Sequence, residues 1–203
     1  MIKAICFDLD GVYFTGAGKQ AFHKALVELS GDEEKVIHVL YKSPEMLQFV
    51  TGKLSEDELW LFARNYLNLT LTNKEFETLW IKEYEIDQEV RSVVLKAKEK
   101  GYITCVCSNN NIVRIRALQE RFNFLEDFDV KIFSYETGLV KSNKELFQIL
   151  IDKSGVKPEE IAYSDDKEEV LGGAKELGIN AFVYENFEQF LGELKKLGVD
   201  LKS

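Results

Sequence analysis

The stretch that most constrains this chain is residues 2–12, IKAICFDLDGV. Ala4, Ile5, Cys6 and Phe7 form an unbroken apolar run that meets Asp8-Leu9-Asp10-Gly11. A short apolar run closed by a turn signal is the pattern of a strand buried on both faces, the strand type of parallel sheets. Side chains alternate along a strand, so Asp8 and Asp10 point the same way if the backbone stays extended. Gly11 then permits a sharp turn. Two carboxylates at the end of a buried strand are costly without compensation, and a metal ion is the usual one. The stretch alone is equally compatible with a strand leading into an acidic turn, so the rest of the chain decides.

Three glycines within residues 11–18 predict an irregular, mobile connection. From Gln20 to about Tyr84 the pattern is helical. Asp32 caps one predicted helix, and Ser43-Pro44 opens another with proline at the first helical position. Ser55 with Glu58, and Thr72 with Glu75, have the spacing of capping boxes. Beyond Asp87 the pattern changes. Predicted strands at 102–107, 130–133, 161–164 and 181–184 alternate with helices of about 10–15 residues, which is the pattern of a parallel sheet covered on both faces. Five core strands are expected. The organisation is therefore read as an α/β core of residues 1–14 and 86–203, with a small helical domain, 15–85, inserted after the first strand.

The chain has 203 residues and a net charge of -9, with 45% apolar residues. That apolar share supports a packed core. The negative balance disfavours a phosphate backbone as partner, so no nucleic acid is expected. No apolar run approaches the ~18–20 residues of a membrane span, and the first residues lack a signal-peptide pattern, so a soluble, cytoplasmic protein is expected, with no membrane partner. It reads as a monomer or homodimer. Cys6, Cys105 and Cys107 sit in apolar strand-like runs without metal-site spacing and read as core thiols. Arg114 and Arg116 read as a solvated helix face.

Ligands of open parallel sheets bind beyond the carboxyl ends of the strands. Three predicted strands end there in polar groups: Asp8 and Asp10, Ser108 and Asn109, and Asp165 and Asp166. Lys141 lies in a loop at the same edge. Carboxylates crowded there repel, by about 4 kcal/mol per pair at 4 Å and an effective dielectric near 20. A hard cation cancels that cost. With oxygen donors and no histidine or cysteine at the rim, Mg²⁺ fits and zinc does not. Ser108 and the backbone N–H groups that open the next helix suit phosphoryl oxygens, and Lys141 adds positive charge. A small phosphorylated substrate is the expected partner.

These residues resemble the haloacid dehalogenase superfamily, aspartate-nucleophile phosphatases, in the subfamily I form with a helical C1-type cap. Asp8-Leu9-Asp10-Gly11-Val12 is similar to the first family motif, Ser108-Asn109 to the second, Lys141 within Gly138-Leu-Val-Lys to the third, and Asp165-Asp166 to the fourth. The resemblance implies a Rossmann-like, three-layer α/β/α core and a phosphatase acting on a sugar or nucleotide monophosphate type of metabolite. It implies Asp8 as nucleophile and Asp10 as general acid and base. Mg²⁺ would sit on Asp8, the backbone carbonyl of Asp10, and Asp166, with Asp165 beside them. Ser108, Asn109 and Lys141 would hold the phosphoryl group. Two departures stand out. Ser142 replaces a proline common after the third-motif lysine. Lys167 and Val170 replace polar residues of the fourth motif, and Val170 cannot hydrogen-bond. The alternatives are a phosphomutase, or a weakly active or non-catalytic phosphate- or protein-binding relative.

Overall fold

Strand β1, Ala4–Phe7, is buried along its whole length because it lies at the centre of a five-stranded parallel sheet. In the computed structural model, which describes residues 1–15, 17–199 and 201, the strand order is β3-β2-β1-β4-β5. The others are β2, Ile103–Ser108; β3, Val130–Phe133; β4, Ile161–Asp165; and β5, Asn180–Val183. Cys6 pairs with Cys105 on one side and Tyr163 on the other. Gly16, in the glycine-rich connection, and Asp200, Lys202 and Ser203, in the expected core segment, lie outside the described residues.

The two sheet faces bury alternate residues. Ile5, Phe7 and Val106 face one layer, made by α6 (Gln88–Glu99), α7 (Ile112–Phe122) and α11 (Phe187–Lys196). Ala4, Cys6, Cys105, Cys107 and Tyr163 face the other, made by α9 (Lys144–Ser154) and α10 (Gly172–Glu176). The result is the expected three-layer α/β/α arrangement. All three thiols are buried and unpaired, and burial pushes Cys105 and Cys107 up to about 12, so these are inert packing groups. A single helix from 168 to 177 is expected, but a short 3₁₀ turn, Glu168–Val170, precedes α10 instead. No described helix is long and apolar enough to cross a membrane.

Between β1 and α6 the chain is helical: α1, Ala17–Ser30; α2, Glu33–Ile37; one π-helical turn, His38–Lys42; α3, Pro44–Val50; α4, Glu56–Leu67; and α5, Asn73–Ile81. Asp32, Ser43, Ser55 and Thr72 cap as expected, the last two as complete capping boxes. These helices share one hydrophobic cluster, in which Trp60 stacks on Phe76 with ring centroids 4.5 Å apart. Val113 of α7 joins that cluster, tying the helical segment to the sheet layers.

The connection after β1 departs from the expected mobile loop. Val12, Tyr13 and Phe14 are buried. The Tyr13 hydroxyl donates to Asp127, and Phe14 packs edge-on against Tyr84 and Phe124. The three apolar side chains between the glycines anchor the segment, and the glycine count overstated its freedom. Gly18 is helical, and a Cβ there would fall 2.1 Å from the Tyr84 ring. It is a close-approach position, not a flexible one.

Candidate active site

The register of the central strands sets the site. Phe7 lies beside Val106 of β2 and Ser164 of β4, so the residues that follow in each strand emerge together at the carboxyl edge. The Asp8 N–H donates to the Ser164 carbonyl at 3.0 Å, which keeps Asp8 in the strand's path. Asp8, Ser108 and Asp165 are all buried there.

Lys141 arrives from the loop after α8 (Ser134–Thr137), and its side chain is only 3% exposed. Its Nζ lies 2.7 Å from Asp8 Oδ1 and 2.5 Å from Asp165 Oδ2. The loop is fastened to β2's end, because the Lys141 N–H donates to Asn109 Oδ1 at 2.9 Å. Asp165 also accepts from the Tyr163 hydroxyl at 2.5 Å and the Lys167 N–H at 3.0 Å. Its orientation is thus fixed by Lys141, Tyr163 and backbone, without help from Val170.

Asp8, Asp165 and Asp166 each offer an oxygen within 4.8 Å of the others. Burial pushes the Asp8 carboxyl up to about 6, Lys141 opposing and Asp165 and Asp10 adding to the rise. Burial, and then Asp165, raises Asp166 as well. Carboxylates that are hard to ionise together, with oxygen donors only, are the setting in which a hard divalent cation is most stabilising. The residues therefore fit such an ion. Asp165 has both oxygens engaged by protein donors, which leaves Asp8 and Asp166 better placed to ligate.

Gly11 lets Asp166 approach. Its φ is +82°, and a Cβ there would fall 2.8 Å from Asp166 Oδ2. Gly11→Ala is expected to cost about 1–2 kcal/mol for the left-handed backbone alone and to displace Asp166. Thermal unfolding, and calorimetric titration with Mg²⁺ at a fixed pH, would check both effects. An unchanged metal affinity would contradict the second.

Asp10 is held by Arg114. Its Oδ2 lies 2.9 Å from Arg114 Nη2, and its Oδ1 is buried without a hydrogen-bond partner. It stands apart from the three-carboxylate cluster, so the resemblance's use of its backbone carbonyl is the compatible one. The chain leaves the extended path at Leu9, where a turn begins between the two carboxylates.

Arg114 was expected on a solvated face and is instead buried. Its Nε donates to Asn110 Oδ1 at 2.7 Å and its Nη1 to the Tyr84 hydroxyl at 2.9 Å, and the guanidinium sits 5.6 Å from the Trp80 ring centroid. The periodicity of α7 could not reveal this, because two faces of that helix are covered: one by the sheet, one by the helical segment around Trp80, into which Val113 packs. Arg116 keeps the surface role, bridging Glu56 and Glu77. The N-cap of α7 is Asn111, whose side chain accepts from the Arg114 N–H. A cavity of about 520 Å³ opens between α1, the π-helical turn and the start of α7, and reaches Asn109 and Arg114.

A haloacid dehalogenase-like hydrolase profile matches residues 2–178. The chain is 26% identical over 201 residues to a D-ribitol-5-phosphate phosphatase from Bacteroides thetaiotaomicron, covering 96% of this chain and 97% of that protein. It is 26% identical to bifunctional epoxide hydrolase 2 of Sus scrofa, over 98% of this chain and 40% of that one. Among solved structures, a HAD family enzyme from Bacteroides thetaiotaomicron in complex with magnesium and inorganic phosphate aligns with a TM-score of 0.77 and 25% identity, covering 91% and 95% of the two chains. A HAD-like family hydrolase from Porphyromonas gingivalis, 23% identical, has the same fold with a TM-score of 0.78 over 98% of this chain and 99% of that one.

Proposed function

The chain belongs to the haloacid dehalogenase-like hydrolases, and from that premise we propose that it is a Mg²⁺-dependent phosphatase of a small phosphorylated metabolite, working through an aspartyl phosphate on Asp8. The observation that carries this reading is the Lys141 ammonium set between Asp8 and Asp165, with Asp166 completing an oxygen cluster. The likeness to a D-ribitol-5-phosphate phosphatase supports a sugar- or polyol-phosphate type of substrate.

Asp8 and Asp166, with Asp165 and the Asp10 backbone carbonyl beside them, would hold Mg²⁺. When bound, the ion neutralises phosphoryl charge and the carboxylate cluster. The protein's own groups do the rest. An Asp8 oxygen attacks phosphorus, and the bond from phosphorus to the substrate oxygen breaks. Asp10, protonated, gives its proton to that oxygen as it leaves. Water then attacks the aspartyl phosphate and loses a proton to Asp10, the phosphorus–Asp8 oxygen bond breaks, and phosphate and the Asp8 carboxylate are regenerated. Lys141 holds Asp8 in line and balances charge, while Ser108 and Asn109 receive phosphoryl oxygens. Residues 15–85 act as a cap over the site and select the substrate, and residues 1–14 and 86–203 form the catalytic core.

A panel of phosphorylated metabolites assayed for free phosphate tests the reading. EDTA is expected to lower release by at least about 10²-fold, since metal-ion stabilisation is worth several kcal/mol, and added Mg²⁺ to restore it. Inorganic phosphate, not an isomerised sugar phosphate, is the expected product. Release that survives EDTA undiminished would overturn the metal-dependent mechanism.

A further inference from the structure

The cavity beside Asn109 and Arg114 has a charge pattern that the phosphatase reading does not use. Its volume, about 520 Å³, is that of a small-molecule pocket. Its charged lining consists of Lys19, Lys42 and Arg114, without a carboxylate. In a protein of net charge -9 that is a local reversal of sign. Arg114 is spent on Asp10. Lys141, the cation of the catalytic cluster, is spent on Asp8 and Asp165. Among the described residues, no carboxylate forms an ion pair with Lys19 or Lys42. Lys19 lies in the first turns of α1 with its ammonium 5.6 Å from the Tyr41 ring centroid. Burial, then the nearby Arg114, lowers its pKa, while Asp10 and Asp8 act to raise it. Lys19 is therefore a partly desolvated cation within the field of the catalytic carboxylates. A half-buried lysine without a carboxylate in ion-pair contact is only partly compensated.

We infer that the phosphomonoester taken by this site carries a second anionic group, a carboxylate or another phosphate, and that Lys19, with Lys42 beside it, receives that group in the cavity. The inference rests on the phosphatase reading and narrows its substrate class. The reacting phosphoryl group lies at Asp8. The second anion lies on the leaving-group side, beyond Asp10, where Arg114 and Asn109 join the cavity to the site. The stacked-on Tyr41 ring and the Trp80 ring supply walls for the carbon chain between the two anions.

Matched substrates test this. Glycerol 3-phosphate and 3-phosphoglycerate differ by a neutral hydroxymethyl group against a carboxylate. Fructose 6-phosphate and fructose 1,6-bisphosphate differ by a second phosphate. The wild type is expected to favour one doubly anionic member over its neutral partner by at least about 10-fold in kcat/KM, and the pair that shows it identifies the anion. Lys19→Met is expected to lower kcat/KM for that substrate about 10- to 100-fold, the value of a charged hydrogen bond, chiefly through KM. Lys19→Arg is expected to retain most of the preference. Calorimetric affinities of the Asp8→Asn protein for the same pairs should rank alike without turnover. Preference for the neutral member, or an equal loss for both members in Lys19→Met, would overturn the inference and leave the phosphatase reading standing. Absence of phosphate release from all four compounds and from p-nitrophenyl phosphate would remove both.

Discussion

Asp8→Asn is expected to abolish phosphate release, by at least about 10³-fold, and to leave the fold as stable as the wild type or more so. The first half follows from the chemistry. An amide oxygen is a poor nucleophile toward phosphorus, and removing a nucleophile forfeits most of what the remaining groups contribute. The second half follows from the electrostatics. Asp8 is 5% exposed and shares its surroundings with Asp165 and Asp10, and burial raises its carboxyl to about 6 from an ordinary 3.8. A carboxyl with a raised folded-state pKa contributes most stability while protonated. That contribution is full below the unfolded value and is lost as pH rises through the folded one. In EDTA, the wild type and Asp8→Asn should therefore unfold alike near pH 3.5. The difference in favour of the variant should open between about pH 4 and 6 and hold above that. Parallel thermal melts across this range, with a phosphate-release assay at pH 7.5, check both halves. A variant less stable than the wild type at pH 7.5 would mean that the ion pair with Lys141 outweighs the burial of the Asp8 charge. A variant that still releases phosphate at the wild-type rate would remove Asp8 from the role of nucleophile.

Arg114→Met is expected to be damaging on both counts. The guanidinium is buried and makes three polar contacts, to Asp10, Asn110 and Tyr84. Methionine fills similar space but removes the donor that Arg114 gives to the Asp10 carboxylate and the Tyr84 hydroxyl, and leaves Asn110 Oδ1 with only the Asn111 N–H. Breaking a buried ion pair from one side costs about 3–5 kcal/mol, roughly 10 °C in Tm for a chain of this size. The activity effect has a particular signature. Arg114 pairs with Asp10, which in the proposed mechanism serves the leaving oxygen. Substrates with alkyl leaving groups need that proton, while p-nitrophenyl phosphate needs it far less. kcat should fall more for the alkyl ester than for the aryl ester, with KM moving less than kcat. Arg114→Lys, which keeps the charge but not the planar fork, should recover part of the alkyl activity. Equal losses for the two ester types would reduce Arg114 to a packing residue.

The structural and chemical logic of the two predictions was unequally legible in the chain. Asp8 was readable because a buried parallel strand has a local pattern, and because the carboxyl edge of such a sheet is where ligands bind whatever the details. The same rule brought Ser108, Asn109, Lys141, Asp165 and Asp166 into one expectation, and the strand register places Asp8, Ser108 and Asp165 along one edge. The capping boxes at Ser55 and Thr72 were readable because a capping box is complete within four residues.

Arg114, the anchored connection at Val12–Phe14 and the cationic cavity were not. Each depends on which two surfaces meet, and no local period carries that information. Helical periodicity marks one face of α7 as apolar and assigns the other to solvent, yet the second face is roofed by Trp80 and Tyr84 from a distant part of the sequence. Gly11 and Gly18 read as freedom in the chain and prove to be places where Asp166 and the Tyr84 ring come too close for a Cβ. By itself the sequence determined the class of sheet and which carboxylates gather at its carboxyl edge, because period, capping and strand-end position are local properties. Tertiary structure alone decided where Asp10 turns, which cation holds it and what lines the space beyond, because those follow from the packing of a helical segment onto the sheet and from the desolvation that packing imposes.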